Sequence, residues 1–294
     1  MAIRFVTNST SDLSAEFLQE NNVVLIPMIY QIDDVEYYDT PFGGANTMTR
    51  KQFYDAMRAG AQPKTSQINE MTYTEVFEKI FAAGDDVFYI AFSSGLTGSM
   101  NNARLAAEEL KEKYPERTVY IFDSLGASMG EGHMVMTAVE ACREGKSAGE
   151  IMALLEEIRP CMQQWFTVED LVYLKRGGRI SATTAAVGTM LNIKPVLKMD
   201  EEGRLVSVEK AKGRKKAVKM LISHLTETAG TDYSGPIYLI HSDASEADIE
   251  LLRSSVVAQC GRDVTSIHAL TPVIGTHTGP GLLALIYCAP GSSR

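Results

Sequence analysis

The first half of the chain alternates short apolar runs with segments that have helical spacing. The apolar runs are rich in β-branched and aromatic residues, as buried strands are; they are Ile3–Thr7, Val23–Ile32, Val87–Phe92 and Thr118–Phe122. The helix-like segments are Thr49–Ala59, Thr72–Ala83, Ser99–Lys113 and Ala127–Arg143. Strands that alternate with helices form βαβ units, so the pattern predicts an α/β fold with a mainly parallel sheet.

The order of predicted strands and helices changes after a helix-like segment, Ala148–Ile158, which ends before Pro160. The predicted strands of this second part are Gln164–Thr167, Ile193–Met199, Arg204–Val208, Pro236–His241 and Leu283–Tyr287. Its predicted helices are Ala182–Leu191, Lys215–Thr228 and Ser245–Cys260. Asp200–Gly203 has the composition of a hairpin turn between two of the strands. We therefore expect a first domain over residues 1–160 and a second, mixed-sheet α+β domain over residues 161–294.

The charge balance argues against one broad class of function. The chain has 28 Lys and Arg residues against 37 Asp and Glu residues, a formal charge of −9, whereas a general nucleic-acid binder is basic.

Four cysteines stand apart with no CxxC pair, which indicates reduced thiols rather than a disulfide framework or a zinc site. The start of the chain has no signal-peptide core, and the longest apolar stretch, Leu282–Ala289, is too short to span a membrane. We expect a cytoplasmic protein.

Familiar motifs for nucleotide and metal binding are incomplete in this sequence. The run Gly145–Ser147 resembles the end of a phosphate-binding loop, but Glu140 stands where that loop requires glycine. The run Gly279–Ala284 matches a dinucleotide fingerprint, but it leads into a predicted strand rather than into a helix. No HExxH motif occurs, so the sequence lacks the main signal of a zinc metalloprotease.

Five loops rich in small polar residues remain: Asn8–Asp12, Pro63–Gln67, Ser93–Ser99, Lys175–Ser181 and Gly275–Gly281. They contain many hydroxyls, one imidazole (His277) and two arginines (Arg176 and Arg179). These groups suit an anion, because hydrogen bonds to a charged group are the strong ones. A serine beside a histidine also suits nucleophilic catalysis, provided that an acid orients the histidine. Helix caps and turns have the same composition, so the residues alone leave these alternatives open.

The order of five sequence blocks resembles the DegV family. The first block, TNSTSDL at Thr7–Leu13, is similar to the family pattern TDSTxDL, with Asn8 where the family usually has Asp. The other blocks are Pro63–Gln67, Ser93–Ser99, Leu174–Ser181 with Ile193–Pro195, and Gly275–Gly281. Together they cover nearly the whole chain. Asn8 loses a charge but keeps an acceptor of similar shape.

The resemblance implies a fatty-acid-binding protein of the FakB type, a binding protein rather than an enzyme, with neither a cofactor nor a metal. It implies a Rossmann-like parallel-sheet N-terminal domain, a second mixed-sheet α/β domain, and a tunnel between them that holds one long-chain fatty acid. A separate fatty-acid kinase then phosphorylates the presented carboxylate with ATP, and the acyl phosphate enters phospholipid synthesis. By the same resemblance, Arg176 lies at the tunnel mouth or contacts the partner, and the carboxylate-binding residues are Thr65, Ser94, Ser66 and His277.

Elementary energetics agree with a carrier. Burying an acyl chain is worth about 0.8 kcal/mol per methylene, which gives tight binding without an ion pair at the head group. Neutral hydroxyls then hold the carboxylate by hydrogen bonds. We expect no arginine clamp at this place, because the kinase needs the carboxylate as a nucleophile. For the oligomeric state, a monomer that hands over its ligand is the simplest expectation.

A cluster of basic residues stands out in this acidic chain: Lys210, Lys212, Arg214, Lys215, Lys216 and Lys219. The cluster fits a solvated helix start, and it equally fits a docking surface for an acidic partner or for a transient contact with an anionic membrane. Two alternatives to a carrier also remain. One is a serine esterase or acyltransferase that uses Ser94 and His277. The other is a DNA-linked regulator, which the net charge disfavours.

Overall fold

The computed structural model describes residues 2–181 and 192–292, so the predicted helix Ala182–Leu191 lies outside the described residues. The helices are α1 (Ala15–Glu20), α2 (Arg50–Arg58), α3 (Glu70–Ala82), α4 (Ser99–Lys113), α5 (Met129–Arg143), α6 (Ala148–Ile158), α7 (Val172–Arg176), α8 (Arg214–Ala229), α9 (Glu246–Cys260) and α10 (Pro272–Thr278). The strands are β1 (Ile3–Asn8), β2 (Val24–Ile26), β3 (Met28–Ile32), β4 (Val35–Asp39), β5 (Lys64–Ser66), β6 (Asp86–Ala91), β7 (Val119–Asp123), β8 (Met162–Thr167), β9 (Ile193–Met199), β10 (Leu205–Lys212), β11 (Ile237–His241), β12 (Ser266–Ala269) and β13 (Leu283–Cys288).

The N-terminal half is built on a parallel sheet, sheet A, with the strand order β2-β1-β6-β7. Each neighbouring pair in it runs parallel. Every residue of β6 from Val87 to Ala91 is buried, as expected for a strand covered on both faces. The prediction of an α/β fold with a mainly parallel sheet is confirmed.

The predicted strand Val23–Ile32 is divided in two by Pro27. Proline cannot donate a hydrogen bond to a neighbouring strand. The chain therefore leaves sheet A after β2, and β3 belongs to a second sheet, sheet B. Sheet B is antiparallel, in the order β4-β3-β5. The sequence does not predict β4 or β5, because β4 is largely polar and β5 has only three residues. Part of the predicted loop Pro63–Gln67 is therefore a strand.

Six strands of the C-terminal half form sheet C, in the order β10-β9-β8-β13-β11-β12. The pair β11 and β12 is parallel, and the other neighbouring pairs are antiparallel. The predicted mixed sheet is confirmed, as is the hairpin at Asp200–Gly203, which joins β9 to β10. The sequence does not predict β12, because Ile267 is its only large apolar side chain.

Helix α10 takes the place of most of the loop that the sequence predicts at Gly275–Gly281. It begins with Pro272 after the N-cap residue Thr271, and it ends before Gly279. Gly275 suggests a turn by its residue type, but it lies within this helix. A Cβ atom there would come within 2.4 Å of the Tyr54 hydroxyl oxygen, so glycine allows α10 to approach α2 closely.

One apolar cluster extends through both halves of the chain. It includes Phe88 and Phe122 of sheet A together with Ile240 and Ile286 of sheet C. Because this packing is continuous across residue 160, the division into domains 1–160 and 161–294 stays a prediction. In the described part of the chain, no helix combines the length and apolar character needed to cross a membrane.

Helix α5 carries a fully buried carboxyl group. Glu131 is 0% exposed, and its oxygens accept hydrogen bonds from the hydroxyls of Thr7 at 2.9 Å and Thr10 at 2.8 Å. Burial raises the pKa of Glu131 to about 8, although both hydrogen bonds oppose that shift. The folded chain therefore keeps a proton on Glu131 at neutral pH, whereas the unfolded chain loses it.

This proton makes stability fall as the pH rises. Between pH 4.5, the ordinary pKa of the group, and about pH 8, the folded state binds one proton more than the unfolded state. We expect the free energy of unfolding to drop by about 1 kcal/mol between about pH 7 and 8 through this group. In Glu131→Gln, which keeps one acceptor and one donor, that part of the drop should vanish. Urea unfolding at several pH values measures it, and equal pH slopes for the two proteins would contradict the assignment.

Candidate functional site

A cavity of about 300 Å³ lies between sheet C and the N-terminal half, at the lower end of the usual range for small-molecule sites. Alternate residues of two neighbouring strands face it: Gln164 and Phe166 from β8, and Ala284 and Ile286 from β13. Side chains two positions apart share one face of a strand. The inner face of sheet C therefore forms a mostly apolar floor, which suits an apolar ligand.

Helix α10 and strand β5 form a polar wall of the same cavity. Thr65 and Ser66 reach it from β5, where Thr65 pairs with Tyr30 of β3. The residues that α10 contributes are spaced so that they share one helix face; they are Val273, Ile274, His277 and Thr278. Hydroxyls and an imidazole thus meet the apolar floor in one place, so the cavity has an apolar part and a polar part.

A hydrogen bond of 2.9 Å joins Thr65 Oγ1 to His277 Nε2 across 212 positions of sequence. His277 Nδ1 is buried and makes no hydrogen bond among the described residues. Burial, with a smaller effect of the Arg179 charge, lowers the pKa of His277 to about 3. The imidazole is therefore neutral at physiological pH, and one of its nitrogens carries the proton while the other accepts.

Arg179 brings a positive charge to the cavity. Its guanidinium donates to the carbonyl oxygen of Leu96 at 3.1 Å and to that of Gly177. Burial lowers the pKa of this half-buried arginine, which stays charged because its ordinary pKa is so high. Arg179 therefore adjoins the predicted head-group residues, but its guanidinium is partly occupied by backbone carbonyls, and the expectation that no arginine clamps the carboxylate stays a prediction. The sequence places Arg179 among the candidate loops, but only the fold shows that it faces the cavity.

The predicted site residues separate into two groups. Thr65, Ser66 and His277 line the cavity together. Ser94 is exposed and is absent from the described lining; its backbone N–H donates to Asp123 at 3.2 Å. Arg176 is also exposed, with its guanidinium carbon 5.5 Å from the centre of the Tyr173 ring. The roles of Ser94 and Arg176 stay predictions.

The structure gives no support to the esterase alternative. Among the described residues, no hydrogen bond joins Ser94 to His277, and the imidazole is bonded to Thr65 instead. The loop after β6 supplies Thr97 to the cavity lining, while Ser93 is buried and donates to the carbonyl oxygen of Gly203 at 2.7 Å.

Gln164 lines the cavity, although the sequence does not predict it as a site residue. Its Oε1 accepts the backbone N–H of Ala127 at 3.1 Å, and its Nε2 is buried without a hydrogen bond in the described structure. The sequence does contain a sign of this role, because Gln164 is an amide residue among apolar residues in the buried strand β8. The Nε2 atom offers the cavity a further donor. Within the described ranges, no group of three His, Cys, Asp or Glu side chains is arranged to hold a metal ion.

Comparison with known proteins gives consistent similarities. The profile of a family described as uncharacterised protein, DegV family, matches residues 2–289. A DegV domain-containing protein of Clostridium perfringens is 38% identical over 281 residues, 96% of this chain and 95% of the relative. A fatty-acid-binding DegV family protein from Thermus thermophilus has a TM-score of 0.85 at 33% identity, covering 98% of this chain and 100% of that chain. DegV from Bacillus subtilis, described as a fatty acid binding protein, has a TM-score of 0.84 at 27% identity, covering 98% and 99%.

The low pKa of His277 is open to direct measurement. Burial and the Arg179 charge both disfavour the imidazolium form, which should appear only as the pH falls toward the pKa of about 3. We expect the His277 ring to remain neutral from about pH 8 down to about pH 5, a range in which an unperturbed histidine titrates. Nitrogen-15 NMR of the imidazole measures this, and titration of His277 near its ordinary pKa would contradict the burial that the structure gives it.

Gly177 leaves room for the His277 ring because it has no side chain. A Cβ atom on Gly177 would lie 2.1 Å from His277 Nδ1, so Gly177→Ala should displace the ring and break its bond to Thr65. The displaced ring should reach water, and its pKa should rise toward the ordinary value. Gly149→Ala is the matched control, since nothing lies within 4 Å of its Cβ position in α6. If both variants keep the wild-type His277 spectrum, this packing role is wrong.

Proposed function

The chain belongs to the DegV family, and from this premise we propose that it binds one long-chain fatty acid in the cavity between its two halves. It presents the carboxylate of that acid to a separate fatty-acid kinase, which phosphorylates it with ATP. The acyl phosphate feeds phospholipid synthesis, and the protein itself acts as a binding protein. The observation that carries this proposal is an apolar cavity with Thr65, Ser66 and His277 together in its wall.

The apolar part of the cavity supplies the affinity. Each methylene that leaves water contributes about 0.8 kcal/mol, so an acyl chain offsets the cost of association without a strong ion pair. Phe166, Ile240 and Ile286 of sheet C give the chain such surroundings. No cofactor takes part in this binding.

The polar part orients the carboxylate. If His277 carries its proton on Nε2 and donates it to Thr65 Oγ1, the Thr65 hydroxyl hydrogen is left to donate to the ligand. Ser66 adds a second hydroxyl, and Arg179 adds a positive charge nearby. Hydrogen bonds to a charged group are worth about 1.5–3 kcal/mol each, so this set fixes the head group without a covalent step.

The transfer reaction needs an accessible carboxylate. One carboxylate oxygen attacks the γ-phosphorus of ATP, a new bond between oxygen and phosphorus forms, and the bond to the β-phosphate breaks so that ADP leaves. Ser94 and Arg176 are exposed, so both can be reached by a docked kinase. We assign Arg176 to the tunnel mouth or to the contact with the kinase.

The basic cluster provides a place for a transient contact with an anionic membrane. Five of its lysines are exposed: Lys210, Lys212, Lys215, Lys216 and Lys219. Arg214 does not belong to this surface, because its side chain is 11% exposed and pairs with Glu169 and Asp248. Cations at the start of a helix oppose its dipole, so α8 carries this charge at some cost in stability. We propose that the carrier is a cytoplasmic monomer that loads its ligand at this surface.

Ligand binding is tested with protein stripped of lipid. The delipidated chain should bind a labelled long-chain fatty acid, and protein as purified should release a fatty acid into an organic extract that mass spectrometry identifies. Thr65→Val, which keeps the shape but removes the hydroxyl, should weaken binding by about tenfold or more. Ser94→Ala decides whether Ser94 also holds the head group: a similar loss would place its hydroxyl on the carboxylate. Failure of the stripped wild-type chain to bind any fatty acid would overturn the proposal.

Two neighbouring arginines separate binding from transfer. Arg179→Gln removes the charge at the cavity and should weaken fatty-acid binding. Arg176→Ala alters an exposed side chain and should leave that affinity unchanged while slowing acyl phosphate formation by a partner kinase. The readouts are equilibrium binding and the rate of acyl phosphate formation at saturating fatty acid. Normal transfer by Arg176→Ala would remove the partner contact, and equal binding losses in both variants would contradict the assignment of the two sites.

A further inference from the structure

The loop between β6 and α4 brings the half-buried side chain of Thr97 to the cavity, and the proposed function gives this hydroxyl no role. The backbone N–H groups of Leu96 and Thr97 donate to the carbonyl oxygen of Ser93, at 3.0 and 3.2 Å. The carbonyl oxygen of Leu96 accepts from the Arg179 guanidinium at 3.1 Å. The turn therefore holds Thr97 in the cavity wall, one residue from the carbonyl that Arg179 binds.

The segment that follows β5 packs directly against this loop. The backbone N–H of Ile68 donates to Ser99 Oγ at 3.2 Å, and the Asn102 side chain donates to the carbonyl oxygen of Ile68 at 2.7 Å. A Cβ atom on Gly98 would lie 2.9 Å from Gln67 Oε1, so the two segments are in close contact. The Thr97 loop therefore stands beside the polar wall that β5 forms, rather than over the apolar floor.

Burial decides the direction of the hydrogen bond between Ser99 and Thr97. Ser99 is 0% exposed, and its Oγ lies 3.0 Å from Thr97 Oγ1. The Ser99 oxygen already accepts the Ile68 N–H, and the described structure gives the Ser99 hydroxyl hydrogen no acceptor other than Thr97 Oγ1. A buried donor without an acceptor is costly. The hydrogen of Ser99 therefore lies on its bond to Thr97.

This direction leaves Thr97 as a donor toward the cavity. Its Oγ1 accepts the Ser99 hydroxyl and also the Ser99 backbone N–H, at 3.2 Å, so both acceptor positions of the oxygen are occupied. The hydroxyl hydrogen of Thr97 is left for a ligand. Thr65 differs, because the direction of its bond to His277 depends on which ring nitrogen carries the proton. Thr97 is thus matched to a head group that only accepts hydrogen bonds, as an ionised carboxylate does.

We propose that Thr97 is a further head-group residue, whose hydroxyl donates to the carboxylate of the fatty acid, and that Ser99 is the residue that orients this hydroxyl. This inference rests on the proposed fatty-acid function. A hydrogen bond to a charged group is stronger than one to a neutral group. Thr97 therefore favours an ionised acid over a primary alcohol that has the same chain.

The experiment compares tetradecanoic acid with 1-tetradecanol on the delipidated full chain, by displacement of a labelled fatty acid. Thr97→Val, which keeps the shape of the side chain but removes the hydroxyl, should weaken binding of the acid by about tenfold or more and that of the alcohol by less than about threefold. Thr97→Ser, which restores a hydroxyl, should recover most of the affinity for the acid. Unchanged affinity of Thr97→Val for the acid overturns the proposal, as do equal losses for the two ligands.

The preference for acid over alcohol also tests the orienting role of Ser99. Ser99→Ala frees the Thr97 hydroxyl to turn, so its preference should fall between those of the wild type and of Thr97→Val, whereas a wild-type preference overturns that role. Thr137→Val is the matched control, because the hydroxyl of Thr137 donates to the carbonyl oxygen of His133 at 2.9 Å and Thr137 is absent from the described cavity lining. It should keep both affinities.

Two further measurements separate this inference from the function on which it rests. Urea unfolding of each variant shows that its fold is intact, and the ratio of the two affinities does not depend on the fraction of folded protein. If the wild-type chain binds no fatty acid, the proposed function fails, and this inference fails with it. If the wild type binds the acid and Thr97→Val binds it equally well, this inference alone fails.

Discussion

Helix α10 is the element on which the cavity depends, because residues from the first half of the chain hold this helix at each end. Asp39 accepts an N–H of its first turn, and Tyr54 donates to the carbonyl oxygen of Leu270, just before the helix, at 3.2 Å. At the other end, His277 meets Thr65. A helix of seven residues has little stability of its own, so these contacts and its packing fix its position. Without these contacts, α10 would not form the polar wall of the cavity.

This arrangement requires several carboxyls to be buried. Asp12, Asp39 and Glu131 all have pKa values that burial raises, so each costs free energy in its ionised form. The partial positive charge at a helix N-terminus offsets part of this cost for Asp12 and Asp39. Replacing such groups by apolar residues of similar volume is often neutral or stabilising in other proteins. Their presence here therefore points to positioning of α10 and of the loops around β1 rather than to stability.

The sequence predicts the periodic elements well and the short ones poorly. Ser99–Lys113, Ala148–Ile158 and Ile193–Met199 match α4, α6 and β9 residue for residue, because their apolar spacing is strong and their ends carry caps or turns. Strand β5 and helix α10 escape prediction because tertiary packing rather than local preference forms them. The candidate loops were predictable as a set. Thr97 lines the cavity whereas Ser94 is exposed. This difference depends on turns whose geometry comes from contacts with the other half of the chain, such as that of Ser93 with Gly203.

Arg179 adds a positive charge to the proposed head-group site without forming an ion-pair clamp there. Its guanidinium already donates to the backbone carbonyls of Leu96 and Gly177, so part of its fork is occupied by the protein. A positive charge held in this way attracts a carboxylate and favours its ionised form, while fewer N–H groups remain to bind both of its oxygens. The same charge helps to keep His277 neutral. An ionised carboxylate beside a neutral imidazole and a tethered arginine would remain a nucleophile, as the proposed transfer to phosphorus requires.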